Sequence, residues 1–539
     1  MGILSNIELD VAVIGAGISG IDAAYHLRQR TRRHSWAVFE SRDDIGGTWN
    51  LFRYPGCRSD SDLYTYGFSW NPWLGSVPIA SASAIAQYIS ESAKLYGIDK
   101  KIRFHHHLLR ANWSTKDCFW TLKFQVQLKT VTVTARFVIF ATGYYDHHAP
   151  LPAIIPGIET FSGTVLYPQF WPKDFDYSGK NIVIIGSGAT AISLLPALAR
   201  KAARTTMLQR SPSYVLSMRN YNPERLMCVL FPPCLRNTAN RLYWAVYSRA
   251  FFSLCRRFPA VARWYLRLRT EAELPEMMHY NPDFKPKYDP WEERLLISPD
   301  GDFYTALREE ATEIKTDTIC RVTATGIQLD SGDFLDADII IPATGLKLQI
   351  AGGCDISIDG ERVDFGAKLM WRGTMVQDVP NATFIIGYTN ASWTLAADVS
   401  CVIACRMLHY LQKRRLRAVI PRLGQTTAIK RSRLLHYSSS YVCRAEHYMP
   451  KVGNQGPWKL QHNYVKDIIV AQCGYIFTSL ELITEGHHEN HFKAKPKDTR
   501  FNPICLPFFW YLAVLLSISI MTAIYKSSES VGIPLTTVR

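Results

Sequence analysis

The stretch "LDVAVIGAGISGIDAAYHL", Leu9 to Leu27, decides the fold. Val11–Ile14 is a short apolar run that reads as a buried strand. It leads into Gly15-x-Gly17-x-x-Gly20 and then a helix. Gly15 permits a tight turn, Gly17 lets backbone approach a pyrophosphate at the helix N-terminus, and Gly20 lets helix pack on strand. The next strand, "SWAVFE", ends in Glu40. A carboxylate there holds the hydroxyls of an adenosine ribose and repels a 2′-phosphate, which favours FAD or NAD over NADP.

The pattern recurs in "GKNIVIIGSGATAISLLPALA", Gly179 to Ala199. Strand Ile182–Ile185 runs into Gly186-x-Gly188-x-x-Ala191 and a helix, with Ala189 and Thr190 among the expected cofactor contacts. The following strand, "TTMLQR", ends in Arg210 and then Ser211, with no acid. An arginine at that place pairs with a 2′-phosphate, so this unit reads as an NADP site. One acid-ended and one arginine-ended unit imply FAD and NADPH on one chain. "RFVIFATGYY" (Arg136–Tyr145) and "DIIIPATGL" (Asp338–Leu346) each end a strand in Ala-Thr-Gly and carry the chain between two domains. The expected fold is α/β, with two Rossmann-like dinucleotide-binding domains and the NADP domain inserted into the FAD domain. Residues 1–150 form the first part of the FAD domain. Residues 151–340 form the NADP domain with a helical insertion at about 215–280. Residues 341–490 return to the FAD domain and the C-terminal region, and 504–526 form a transmembrane anchor.

The bulk composition narrows the partners. The chain has 539 residues, 47% hydrophobic and 20% charged, with a net charge of +15. The charge is spread out, and no zinc-finger or RNA-binding signature occurs, so no nucleic-acid partner is expected. Twelve scattered cysteines without a Cys-x-x-Cys suit free thiols and argue against a disulfide oxidoreductase. "FHHHL" (Phe104–Leu108) could suggest a metal. Neighbouring side chains on a strand alternate faces, so these histidines are expected to be exposed and no metal site is assigned.

Two segments concern membranes. "LPFFWYLAVLLSISIMTAIY", Leu506–Tyr525, carries no charge and as a helix spans about 30 Å, one hydrocarbon core. Lys493, Lys495, Lys497 and Arg500 precede it, which places the body of the chain in the cytosol, with the endoplasmic reticulum as the default membrane. No signal peptide is read at the N-terminus. "RLYWAVYSRAFFSLCRRFPAVARWYLRLR" (Arg241–Arg269) is basic, aromatic and helical. It reads as a helical subdomain, compatible with a membrane-facing surface.

"GGTWNLFRYPGCRSD", Gly46 to Asp60, is the most specific motif: Gly46-Gly47-x-Trp49-x4-Tyr54-Pro55-Gly56-x3-Asp60. A second is Phe161-x-Gly163-x-x-x-Tyr167-x-x-x-Trp171-Pro172. Together they resemble the class B flavoprotein monooxygenases, and specifically the Baeyer–Villiger monooxygenases. "YDPWEERLLISPDGDFYTAL" (Tyr288–Leu307) and "GYTNASWTLAAD" (Gly387–Asp398) look like the ethionamide-activating subgroup. The resemblance spans roughly residues 8–480 and departs at Tyr167, where the family has histidine, and at Glu293, where better-known members have lysine. It implies that Arg294 stabilises a flavin peroxide and that Asp60 contacts that arginine. It also implies that residue 167 acts in the interdomain linker, positioning NADP. Gly47, Thr48, Trp49 and Tyr66 join the expected FAD contacts. Glu293 leaves the NADP phosphate to Arg210 and other cations. The implied reaction uses NADPH and O₂ to insert one oxygen beside a carbonyl of a small molecule through a C4a-peroxyflavin, and the expected membrane anchor, not the resemblance, points to a lipophilic substrate. N- or S-oxygenation is the competing enzyme reading, and a lapsed flavin-binding scaffold the competing non-enzyme one.

Overall fold

The computed structural model describes residues 7–221, 231–424, 428–484 and 488–489. The expected anchor, 504–526, lies outside the described residues. The first sheet begins with β1 (Ile7–Ile14), helix α1 (Ile18–Arg30) and β2 (Trp36–Phe39). It continues through β3 (Ile102–Arg103), β4 (His107–Ser114), β5 (Phe119–Val126) and β6 (Lys129–Phe140). β1 runs parallel to both β2 and β6, while β4, β5 and β6 form an antiparallel meander. Both faces of β1 are covered. Val11 and Val13 join the core around α1, and Ala12 and Ile14 join the core that holds Trp113, Trp120 and Leu122. A strand buried on both sides is apolar throughout rather than alternating, which is the pattern seen at Val11–Ile14.

The second sheet is wholly parallel. β7 (Thr164–Val165), β8 (Asn181–Ile185), β9 (Arg204–Gln209), β10 (Thr312–Thr316) and β11 (Ile339–Pro342) lie in the order β10-β9-β8-β11-β7. Helix α2 (Ala189–Ala199) follows β8. The chain then rejoins the first sheet through β12 (Asp355–Ile358), β13 (Glu361–Arg362) and β14 (Ala382–Phe384). β12 pairs with β4, and β14 pairs with the C-terminal end of β6, beyond the part that pairs with β5. All strands of the second sheet fall between these two visits to the first.

Between β9 and β10 lie helices α3 (Pro233–Arg257) and α4 (Pro259–Glu271). The expectation of helix from about residue 215 needs correction. Val215–Met218 is a strand, paired in parallel with Leu296–Pro299. Burial of Val215 and Leu216 against that partner outweighs any helical tendency. Helix α5 (Trp393–Arg414) is the one described helix long and apolar enough to cross a membrane, but most of its length is buried inside the protein. It is the core helix against which α1 packs.

Candidate functional site

The first glycine turn is built from backbone. Gly15 has φ +104°, and a Cβ there would sit 2.7 Å from the Ala141 carbonyl oxygen. Gly47 has φ +55°, and its Cβ would lie 3.0 Å from Gly17 Cα. Side chains at these positions would fill the space above the turn. A Cβ at Gly20 would fall 1.8 Å from the Gly15 oxygen, so Gly20 serves helix-on-turn packing and does not line the cavity. No side chain caps the N-terminus of α1, whose cap residue is Gly17. Its first-turn amides are therefore open to an anion. Glu40 is buried beside them, accepting the Ala16 N–H at 2.7 Å and the Arg42 N–H at 3.0 Å.

A cavity of about 1920 Å³, counting its open mouth, extends from this turn. Gly15, Gly17, Glu40, Gly47, Thr48 and Trp49 line one part, and Asp60, Tyr66, Ala189, Thr190 and Arg294 line another. The open amides, the acid at the end of β2 and a cavity that runs from them to Arg294 fit a dinucleotide.

Arg294 and Asp60 meet across the cavity. Arg294 Nη2 donates to Asp60 Oδ1 at 3.0 Å and to Ser61 Oγ at 2.9 Å, and its Nε lies 2.9 Å from Asp60 Oδ2. This two-point contact fixes the guanidinium plane. Burial works against the arginine's charge, but Asp60 and the neighbouring Tyr437, Tyr144 and Tyr145 together outweigh it and hold the guanidinium above its usual range. Tyr144, Tyr145 and Tyr437 surround the pair, and burial pushes all three phenols up, so they stay protonated. Tyr66 accepts the Trp49 indole N–H at 2.6 Å.

The second turn lies apart from the first. Gly186 has φ +138°, and its Cβ would meet the Ala343 oxygen at 2.4 Å, whereas a Cβ at Gly188 would meet nothing within 4 Å. α2 has no side-chain cap at its N-terminus. Ser187 Oγ donates to the Ser211 carbonyl at 2.8 Å, which ties the turn to the end of β9, where Arg210 is exposed. Gly186, Gly188, Arg210 and Ser211 do not line the large cavity, while Ala189 and Thr190 do. The cavity thus reaches from the first turn to the start of α2, just beyond the second. Tyr167 is half-buried outside the cavity, its hydroxyl accepting the Ala153 N–H at 3.5 Å. Glu293 accepts a hydrogen bond from Ser438 Oγ.

The expectation that the His105–His107 run is exposed holds only for His105. His105 has φ +59° and is exposed, which breaks the alternation, and the strand starts only at His107. His106 and His107 are half-buried and line the cavity, with the His107 ring 4.7 Å from that of His148. Sequence reasoning also missed His147. It lies 3.3 Å from Thr48 Oγ1, and burial, with Arg42 nearby, lowers it to about 4. The available signal was its place in "YYDHH" directly after an Ala-Thr-Gly strand end, where ligands of such sheets bind.

A second polar cluster lies away from the cavity, where α1, α3 and α5 meet. Arg241 donates from Nη1 to the carbonyls of Tyr64, Thr65 and Gly67, and its Nη2 reaches Asp398 Oδ2 at 3.3 Å. Asp398 also takes a bond from Ser69 and faces His26 Nε2 at 3.1 Å. Arg30 Nε donates to His26 Nδ1 at 3.3 Å, which puts the imidazole proton on the side of Asp398. Asp22 accepts the Trp70 indole N–H at 2.9 Å. Burial, then the neighbouring Asp398, pushes the Asp22 carboxyl up to about 7. Asp22, His26 and Asp398 lie close enough to hold a metal ion, yet Arg241, Ser69 and Trp70 already donate into the cluster.

Comparison with known proteins adds to this geometry. The flavin-binding monooxygenase-like family model matches residues 8–238. The FAD-containing monooxygenase EthA of Mycobacterium tuberculosis is 43% identical over 472 residues, covering 87% of this chain and 96% of the relative. The probable FAD-binding monooxygenase AlmA of Acinetobacter baylyi is 41% identical over 467 residues, covering 85% and 93%. Among solved structures, oxidized steroid monooxygenase bound to NADP matches with a TM-score of 0.69 at 20% identity, over 88% of this chain and all of the other.

Proposed function

The chain belongs to the FAD-containing monooxygenases, the family that includes EthA, and on that premise we propose a specific reaction of Baeyer–Villiger type. The enzyme uses NADPH and O₂ to insert one oxygen atom next to the carbonyl of a lipophilic ketone, giving an ester or lactone. The observation that carries this reading is the Arg294–Asp60 pair, held inside the cavity to which both nucleotide turns lead.

FAD, when bound, accepts hydride from NADPH and activates O₂ for transfer. The chain's own residues divide the remaining work. Gly15, Gly17 and the open end of α1 would hold the flavin pyrophosphate, with Glu40 at the ribose. Gly47, Thr48, Trp49 and Tyr66 would enclose the flavin end. Gly186, Gly188, Ala189 and Thr190 would receive the NADP pyrophosphate, with Arg210 and Ser211 at the 2′-phosphate. Arg294 keeps a fixed positive charge at any working pH and would stabilise negative charge developing on oxygen. Asp60 orients that charge. The protonated tyrosines exclude water and add no negative charge of their own.

Location is part of the proposal. The charge-free run Leu506–Tyr525 and its basic upstream flank support a C-terminal anchor with the body in the cytosol, at a membrane where lipophilic substrates concentrate. The chemistry is tested by turnover of detergent-solubilised, FAD-loaded full-length chain with NADPH, a ketone and ¹⁸O₂. An ester carrying one ¹⁸O is expected. Sulfoxide from a thioether, with no ester from any ketone, would assign heteroatom oxygenation instead. NADPH consumption that yields only hydrogen peroxide would remove the oxygenase reading.

A further inference from the structure

Part of the outward surface of α4, and of the adjoining end of α3, is apolar where a surface helix would be polar. On α4 the exposed residues Val261, Trp264, Tyr265 and Leu268 fall at i, i+3, i+4 and i+7, one continuous stripe, with Trp264 59% exposed. The opposite stripe, Ala262, Leu266 and Thr270, is buried. Thus α4 satisfies the core with small or aliphatic residues and turns its larger side chains outward. On α3 the exposed Tyr247 and Leu254 continue through the connecting Phe258 at the same helical spacing. Scattered exposed hydrophobics need no explanation, but a contiguous stripe does.

The charge around the stripe is predominantly positive. Residues 231–270 hold eight arginines and no Asp or Glu. Arg256 and Arg257 are exposed beside it, and the Arg257 guanidinium lies 5.9 Å from the Phe258 ring centroid, whereas the exposed Arg263 and Arg267 pair with Asp289 and Glu271. Aromatic and aliphatic side chains rimmed by arginines match the interfacial region of an anionic bilayer, where rings sit at headgroup depth and guanidinium groups meet phosphates. At its other end α3 is fastened to the cavity wall. Arg241 bonds the carbonyls of Tyr64, Thr65 and Gly67, next to the cavity-lining Tyr66, and Trp244 stacks on Tyr64.

We infer that the α3–α4 hairpin is a second membrane contact, seated on an anionic lipid surface through Phe258, Val261, Trp264, Tyr265 and Leu268, so that the catalytic body lies against the bilayer rather than hanging from a tether. The inference rests on the membrane location proposed above and not on the oxygenation chemistry.

The test uses full-length, FAD-loaded chain in nanodiscs of phosphatidylcholine with or without phosphatidylserine. A benzophenone amino acid replaces Trp264 in one sample. In the control it replaces Leu128, which is 98% exposed on the turn between β5 and β6. After irradiation, lipid adducts are expected at 264, more with phosphatidylserine, and at background level at 128. Arg256→Glu combined with Arg257→Glu should abolish the adducts at 264 while NADPH oxidation persists. Equal labelling at both positions would mean tethering alone and would overturn the inference. Adducts from 264 to a second copy, or to residues 501–525 of the same chain, would overturn it by naming another occupant. If the chain failed to associate with bilayers at all, the anchor and this surface would both fall, while the ¹⁸O₂ result would still stand or fall separately.

Discussion

Two arginine–aspartate pairs in this molecule have the same chemistry and opposite settings. Arg294 and Asp60 face the large cavity with 32% and 35% of their side chains open. Arg241 and Asp398 are 12% and 5% open and sit where three helices meet. The exposed pair spends part of its hydrogen-bonding capacity on itself and leaves the rest for whatever enters the cavity. The buried pair uses its donors on three backbone carbonyls and a carboxylate, and a second acid, Asp22, is pressed toward neutrality beside it. Exposure to the cavity, rather than the identity of the pair, separates a group available for chemistry from a group that fixes the frame.

The largest effect is expected from breaking the buried pair. Arg241→Met takes the guanidinium from Asp398, leaving it Ser69 and His26, and removes a donor from three carbonyls; removing one partner of a buried ion pair costs about 3–5 kcal/mol. Thermal unfolding of the FAD-loaded protein should show a marked loss of stability. A shift no larger than that of an exposed arginine substitution would place the frame elsewhere.

Breaking the cavity pair should do the reverse. Arg294→Met is expected to slow product formation by about 10²–10³-fold, the usual loss when a donor to developing negative charge is removed. Stability should barely move, because a partly exposed pair contributes about 0–1 kcal/mol. A matched fall in stability with modest activity loss would merge the two pairs into one structural class.

The pH response sharpens the contrast further. The folded protein holds the Asp22 proton more tightly than the unfolded chain does. Its contribution to stability is therefore present at low pH and is lost as pH rises from the usual carboxylate range through about 7. Asp22→Asn removes this dependence, so its stability relative to wild type should be higher at pH 8 than at pH 5, read by thermal shift. The opposite order would mean that Asp22 is ionised and paired.

The smallest effect is expected at Tyr167. Its hydroxyl meets only a long backbone contact outside the cavity, so Tyr167→His should change turnover by no more than about fivefold, the worth of one ordinary hydrogen bond. A thousandfold gain in steady-state rate would show that the residue reaches the cofactors.

The sequence by itself determined what local chemistry dictates. Glycine turns need residues without Cβ, an apolar strand needs cover on both faces, and the acid after β2 and the arginine after β9 announce different nucleotides at fixed distances from their turns. Gly15, Gly17 and Glu40, which that reading singled out, line the cavity beside Gly47, Thr48, Trp49, Tyr66, Asp60 and Arg294, which came only through the family motif. The tertiary structure alone decided the rest. Arg241 finds Asp398 across 157 residues, and β12 and β14 return to a sheet that the chain had left more than two hundred residues earlier. His107 and His148 become neighbours because β4 and the end of β6 lie in one sheet. Val215–Met218 becomes strand because a distant segment offers it a partner, and the outer stripe of α4 stays uncovered because its smaller residues already satisfy the core. Such contacts depend on which surfaces meet after folding, and periodicity in one segment carries no information about the surface another segment brings to it.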